Sequence, residues 1–112
     1  MIFASDLSTA RNFYEDVLGF ECKNQTEVRL DFQLENCDLV AFKCEHDSEI
    51  KDYSEVARSV FVFLVDSVDR EMKRLSAAGV RFLHAAPAEN EFSRYAAFAD
   101  PFGNVHEIYE NK

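Results

Sequence analysis

A chain of 112 residues is the length of one ordinary domain, and 47% hydrophobic content with eleven Phe, four Tyr and no Trp supplies a core that a disordered chain lacks. A formal net charge of −9 works against nucleic acid and anionic membrane surfaces as partners. Three cysteines, Cys22, Cys37 and Cys44, without CxxC spacing, argue against a disulfide framework and a cysteine zinc site; with no leader-like segment and no apolar run of about 18 residues, the expected compartment is the cytoplasm.

The first expected element is a strand, Ile2 to Ser5. Leu7, Ala10, Phe13, Tyr14, Val17 and Leu18 then recur at intervals of three and four, which predicts a helix over about Ser8–Leu18, capped by Asp6 or Ser8 and closed by Gly19. Val28 to Leu34 alternates, with an apolar face and a face carrying Arg29, Asp31 and Gln33. A strand from Asp38 to Cys44 follows, then a polar linker over 46–57 in which Ile50, Tyr53 and Val56 are spaced for a short helical turn.

The same order returns after the linker. A strand at Val60 to Val65 precedes a helix over about Val68–Ala78, with Asp66 or Ser67 at its start and Gly79 at its end, and strands are expected at Val80 to His84, Tyr95 to Ala99 and Asn104 to Tyr109. Asp6 and Asp66 are 60 positions apart, as are Gly19 and Gly79, and Asp38 to Phe42 aligns with Asn104 to Ile108 at an offset of 66. The fold class is therefore α+β, one domain over 1–112 built from two βαβββ modules of eight strands in all, about 1–45 and 58–110.

Two stretches carry a family resemblance: Asp6-Leu7-Ser8-Thr9-Ala10-Arg11-Asn12-Phe13-Tyr14 running on to Val17-Leu18-Gly19-Phe20, and Asp100-Pro101-Phe102-Gly103-Asn104-Val105-His106-Glu107-Ile108. Together they resemble the vicinal-oxygen-chelate superfamily of glyoxalases, bleomycin-resistance proteins and extradiol dioxygenases. The resemblance implies curled mixed sheets around a cleft, usually in a homodimer, and a membership that spans metal-dependent lyases and isomerases, dioxygenases and binding proteins that sequester bleomycin. Fold leaves the activity open, so the site must decide it.

In the metal enzymes of that superfamily, ligands sit on the first and last strand of each module. Glu107 keeps the last-strand position; its counterpart at the offset of 66 is Ala41, the first-strand position of module two is Val60, and its partner at the offset of 60 falls before Met1. A metal centre that does chemistry usually holds at least three protein ligands. No complete metal site and no cofactor are expected, a divalent metal being the alternative. His84 lies on another strand, His46 in the linker, and His106 points away from its neighbour Glu107; each is expected to be a surface or hydrogen-bonded histidine.

With Glu107 facing the cleft, alternation assigns Val105 and Tyr109, then Leu39, Ala41 and Lys43, then Val60, Val62 and Leu64 to the same face, and sets Phe61, Phe63, Val65, Val40, Phe42 and Ile108 against the helices. Arg29, Asp31 and Gln33 complete an aliphatic cleft with a polar rim, the general make-up of a small-molecule site. The expected function is binding of a small molecule by a homodimer, without nucleic acid or membrane as partner. The alternatives are a metal-dependent lyase or isomerase of the glyoxalase I (lactoylglutathione lyase) type, and metal-free acid–base chemistry with Glu107 as catalytic proton acceptor. Glu107 is otherwise expected to pair with Lys43 or Arg29.

Overall fold

The structure, a computed structural model, describes residues 1–47 and 60–112, so the helical turn expected around Ile50, Tyr53 and Val56 lies outside the described residues. The chain forms two compact units, Met1–Ser48 and Glu49–Lys112. In the first, β1 (Ile2–Ala4), α1 (Leu7–Arg11), β2 (Glu21–Gln25), β3 (Arg29–Gln33) and β4 (Asp38–Lys43) make a mixed sheet of order β1-β4-β3-β2, with β1 parallel to β4 and the other pairs antiparallel. In the second, β5 (Phe61–Leu64), α2 (Val68–Ala77), β6 (Arg81–Phe82), β7 (Ala88–Glu89), β8 (Ser93–Ala99) and β9 (Val105–Asn111) repeat the plan as β5-β9-β8-β6, with β7 also paired to β8.

Each helix begins at a side-chain cap and buries one stripe on its own sheet. Asp6 accepts the Thr9 N–H at 2.7 Å, and Ser67 accepts the Arg70 N–H at 3.3 Å, so the equivalent of Asp6 is Ser67 rather than Asp66. Leu7, Ala10, Phe13 and Tyr14 are buried over Leu30, Phe32, Leu39 and Ala41, with the Tyr14 ring 5.5 Å from that of Phe32. Val68 and Leu75 do the same over Ala96, Phe98 and Ile108; covering a leucine as fully as Leu75 contributes on the order of 2 kcal/mol.

The helix expected at Ser8–Leu18 has the expected span but not one winding. Beyond α1 it continues as a π-helical segment, Asn12–Val17, in which Leu18 donates to the Phe13 carbonyl five residues back at 2.9 Å. The shifted cap explains this. Between cap and closing glycine the first module holds one residue more than the second, and the wider winding absorbs it. The difference persists to the glycine: Gly79 and Val80 donate to Ser76 and Leu75, whereas Gly19 and Phe20 donate to Glu15 and Tyr14, each one residue wider. Gly19 (φ 84°) and Gly79 (φ 89°) both take the left-handed conformation expected after the helix.

Two strand expectations change. Val80 to His84 shortens to β6, and a further two-residue strand, β7, forms within the stretch Pro87 to Phe92 that reads as loop, giving nine strands among the described residues. Between β6 and β7 the His84 ring takes the place of a backbone partner, its Nδ1 accepting the Ala97 N–H at 3.0 Å. No helix among the described residues is long and apolar enough to cross a membrane.

Candidate functional site

One face of each sheet is covered by its own helix, which leaves the opposite face as the candidate site. In the first unit Arg29, Asp31 and Gln33 stand on this open face, and the antiparallel register sets Phe42, Val40 and Asp38 directly across from them. Leu39 and Ala41, expected in the cleft, pair instead with Phe32 and Leu30 on the helix-covered face, where they are 4% and 0% exposed. Lys43 follows the same phase, opposite Ala4, with an exposed side chain. Val40 and Phe42, expected against the helix, are the open-face residues of β4.

The one-residue slip has a physical origin. Four residues, Leu34 to Cys37, separate β3 from β4, but five, Asp100 to Asn104, separate β8 from β9. Asp100 holds the longer turn by accepting the Phe102 and Asn104 N–H groups at 2.9 and 2.8 Å, and Gly103 takes φ 89° within it. The offset between last strands is therefore 67, so the counterpart of Glu107 is Val40 and that of His106 is Leu39.

The open face of the first unit carries an ordered polar group. Arg29 donates from Nε to Asp31 Oδ1 at 2.6 Å, Asn24 donates from Nδ2 to Asp31 Oδ2 at 3.1 Å, and the guanidinium lies 5.4 Å over the Phe42 ring. Asn24 reaches Asp31 because the register of β2 shifts between Cys22 and Asn24. The Arg29 hydrogen bond, then that of Asn24, holds the buried Asp31 carboxyl below the usual carboxylate range. At the other end of the face Lys23 pairs with Asp38 at 2.6 Å, and Gln33 is exposed. Arg29, one of the two expected partners of Glu107, thus makes its ion pair with Asp31 on its own strand.

In the second unit Val105, Glu107 and Tyr109 share the open face, across from Ala99, Ala97 and Tyr95 of β8, and Val62 and Leu64 of β5 lie beside Glu107 and Tyr109. Val62 and Leu64 are 50% and 61% exposed, Glu107 and both tyrosines half-buried; Val60 stands just before β5, half-buried. The His84 ring meets Tyr95 edge-on at 5.8 Å, and because its Nδ1 accepts a backbone N–H, the neutral ring keeps its proton on Nε2. His46 is exposed, whereas of the two expectations, surface or hydrogen-bonded, the first does not hold for His106: it is fully buried, with the rings of Phe98, Phe61 and Phe63 at 5.5, 5.8 and 5.8 Å. Burial lowers its pKa to about 4. Alternation had already sent His106 away from Glu107; what it lacked was how completely that side is closed.

Residues 1–108 match the model of the Glyoxalase/Bleomycin resistance protein/Dioxygenase superfamily. The chain belongs to that superfamily. No curated protein matches the sequence. Among solved structures it is similar to an antibiotic-binding protein from a Streptomyces species (22% identity, TM-score 0.73, covering 99% of this chain and 91% of that one). A lactoylglutathione lyase from Agrobacterium tumefaciens is also similar (24%, 0.76, 98% and 90%), as is a genomically encoded fosfomycin resistance protein from Listeria monocytogenes (16%, 0.80, 100% and 90%). At these identities the likeness is one of fold, and it fits two βαβββ modules with curled mixed sheets.

The donor set that the superfamily resemblance implies for a metal is not found among the described residues. The resemblance gives Glu107 a last-strand ligand position, but its counterpart Val40 and the first-strand residues Val60 and Val62 have no lone pair to offer. Among the described residues no group of three His, Cys, Asp or Glu side chains comes together to hold an ion.

Proposed function

We propose that the chain is a homodimeric small-molecule-binding protein of the superfamily, a single domain that takes its ligand on the open faces of its sheets. The observation that carries this reading is the contrast between the two faces of each sheet. The helix-covered faces are closed by apolar packing at their centres, with Phe61 exposed on the edge strand, whereas the open faces combine aliphatic and aromatic surface with a few fixed polar groups: Arg29, Asp31 and Asn24 on one, Glu107, Tyr109, Tyr95 and His84 on the other. The dimer is supported by the outer strands β1 and β5, which expose Phe3 (55%), Val62 and Leu64 at sheet edges where a second copy would cover them. Three free cysteines suit a reducing compartment such as the cytoplasm.

The test is a titration of the full chain with small neutral, cationic and anionic aromatic compounds, followed by amide shifts. Binding on the open faces moves the amides of β3, β4, β8 and β9 in a saturable way; a panel that moves none of them refutes the reading. Light scattering should give twice the monomer mass at micromolar concentration. Retention of Glu107 is the observation favouring the lyase or isomerase alternative. A stoichiometric divalent ion in the purified protein, lost in Glu107→Gln, would replace binding by that alternative.

A further inference from the structure

The open face of the first unit holds an arginine by its side and its plane. A guanidinium makes its stronger, bidentate contact through a two-nitrogen edge. Arg29 donates through Nε, as Arg11 and Arg74 do, but to a buried carboxylate and with its plane on an aromatic ring. Among the described residues its one hydrogen bond runs from Nε to Asp31, and its flat surface rests on Phe42, so the scaffold uses the side and the plane of the guanidinium and leaves the Nη1/Nη2 edge forward. Asp31 is 7% exposed, and both its oxygens are engaged, one by Arg29 and one by Asn24. A buried carboxylate costs desolvation, so its place beneath a side chain 43% exposed is a device that fixes the orientation of that side chain.

The register gives the neighbours of the guanidinium. Phe3, Phe42 and Arg29 lie side by side across β1, β4 and β3, and Val40 and Asp31 form the neighbouring row. A guanidinium on β3 that lies over the Phe42 ring of β4 extends across the sheet toward β1, where Phe3 is 55% exposed, with Val40 half-buried alongside. Charge-assisted donors and apolar surface are thereby placed next to each other.

We propose that Arg29 is the anchor for the oxyanion group of a small organic acid, a carboxylate or a phosphonate, whose apolar body lies on Phe3 and Val40, with Asp31 and Phe42 as the residues that position the guanidinium. This rests on the small-molecule-binding reading and names the ligand class for the first unit. Two oxygens of such a group meet the two Nη donors in one plane, which Lys in the same place cannot reproduce.

The probes are benzoate and phenylphosphonate, with benzamidine and benzamide as the cation and the neutral molecule of similar shape, titrated into the full-length protein and followed by the amide signals of β3 and β4 and the Arg29 Nε–H signal. The expected result is saturable movement of these signals by the two anions. Affinity should fall tenfold or more in Arg29→Gln, and severalfold in Arg29→Lys and in Asp31→Asn. The Asp31→Asn protein should also show a displaced Nε–H signal before any probe is added, which separates orientation from simple loss of fold; circular dichroism confirms that each variant is folded. Benzoate and phenylphosphonate shifts of equal affinity in wild type and Arg29→Gln overturn the proposal, and so does movement by benzamidine or benzamide alone, which leaves the binding reading standing. If none of the four moves any open-face signal, both fall together. Whether benzoate or phenylphosphonate binds more tightly distinguishes the two acids.

Discussion

Replacing His106 by leucine should make the protein less sensitive to acid, and the size of the change follows from where the ring sits. His106 is fully buried among Phe61, Phe63 and Phe98, and its pKa is lowered to about 4, against 6.5 for the unperturbed group. Below 6.5 the unfolded chain takes up a proton that the native protein refuses, so native stability is complete above that pH, falls as the pH drops toward 4, and is flat with respect to this group below it. At about 1.4 kcal/mol per pH unit the loss is about 3 kcal/mol across the window, a large share of the roughly 5–15 kcal/mol that holds such a domain folded. Leucine is the residue the fold itself uses here, because Leu39 occupies the equivalent position in the first module and packs opposite Phe32 as His106 does opposite Phe98.

The assay is urea unfolding of wild type and His106→Leu from pH 7 to pH 4, with the difference in stability as the quantity read. Asp6, Glu15, Asp31 and Asp69 are all held below the usual carboxylate range, so their contributions disappear only at lower pH, and these, like the net charge of −9, are shared by both proteins and cancel in the difference. A constant offset would report the exchange of the histidine's contacts for leucine packing. The expected signature is a difference that grows by about 3 kcal/mol between pH 7 and pH 4. Two parallel curves would refute the reasoning, because they would mean that His106 takes up its proton equally in native and unfolded chains.

Two further outcomes test the second module. Glu110 accepts the Val68 N–H at the start of α2 at 2.5 Å and the Arg94 guanidinium at 3.1 Å, so Glu110→Ala should cost about 1–2 kcal/mol in urea unfolding, and Glu110→Gln, which keeps an acceptor, distinctly less; equal losses would count against the cap. Gly79 has open space around it but φ 89°, so Gly79→Ala should lower stability by about 1–2 kcal/mol through backbone strain alone, and an unchanged melting temperature would contradict that account.

The parts of the fold legible in the sequence were those set by local rules. Two amphipathic stripes closed by Gly19 and Gly79 give the helices, and strict alternation from Val28 to Leu34 separates Arg29, Asp31 and Gln33 from Leu30 and Phe32. β2 was less legible, because only Cys22 of its residues is even half-buried and no apolar alternation marks it. The phase of β4 was lost for another reason. In Asp38 to Lys43 four successive residues, Leu39 to Phe42, are apolar, so period two cannot say which pair faces the helix, and only the register with Asp31 and Phe32 decides. The ion pair of Arg29 with Asp31, two apart on one strand, was within reach of alternation; the help from Asn24 was not, because it depends on the shift in register within β2.

Aligning the modules through their hydrogen-bonded registers, rather than through a fixed offset, separates what the repeat keeps from what it changes. On the helix-covered faces Leu7 and Val68, Tyr14 and Leu75, Leu30 and Ala96, Phe32 and Phe98, Ala41 and Ile108 are matched buried residues, and Leu39 and His106 are a matched buried pair that differs in polarity. On the open faces the counterparts differ in kind: Arg29 faces Tyr95 in the alignment, Asp31 faces Ala97, Gln33 faces Ala99, and Val40 faces Glu107. Packing explains the first set, since a helix laid on a sheet accepts only apolar side chains of suitable volume. Packing against a helix does not explain the second, where buried Asp31 is matched by buried Ala97 and the remaining pairs include half-buried or exposed residues of different chemistry. A cation pinned by a buried carboxylate on one module and a carboxylate near tyrosines on the other are therefore differences that the shared helix-on-sheet packing leaves open.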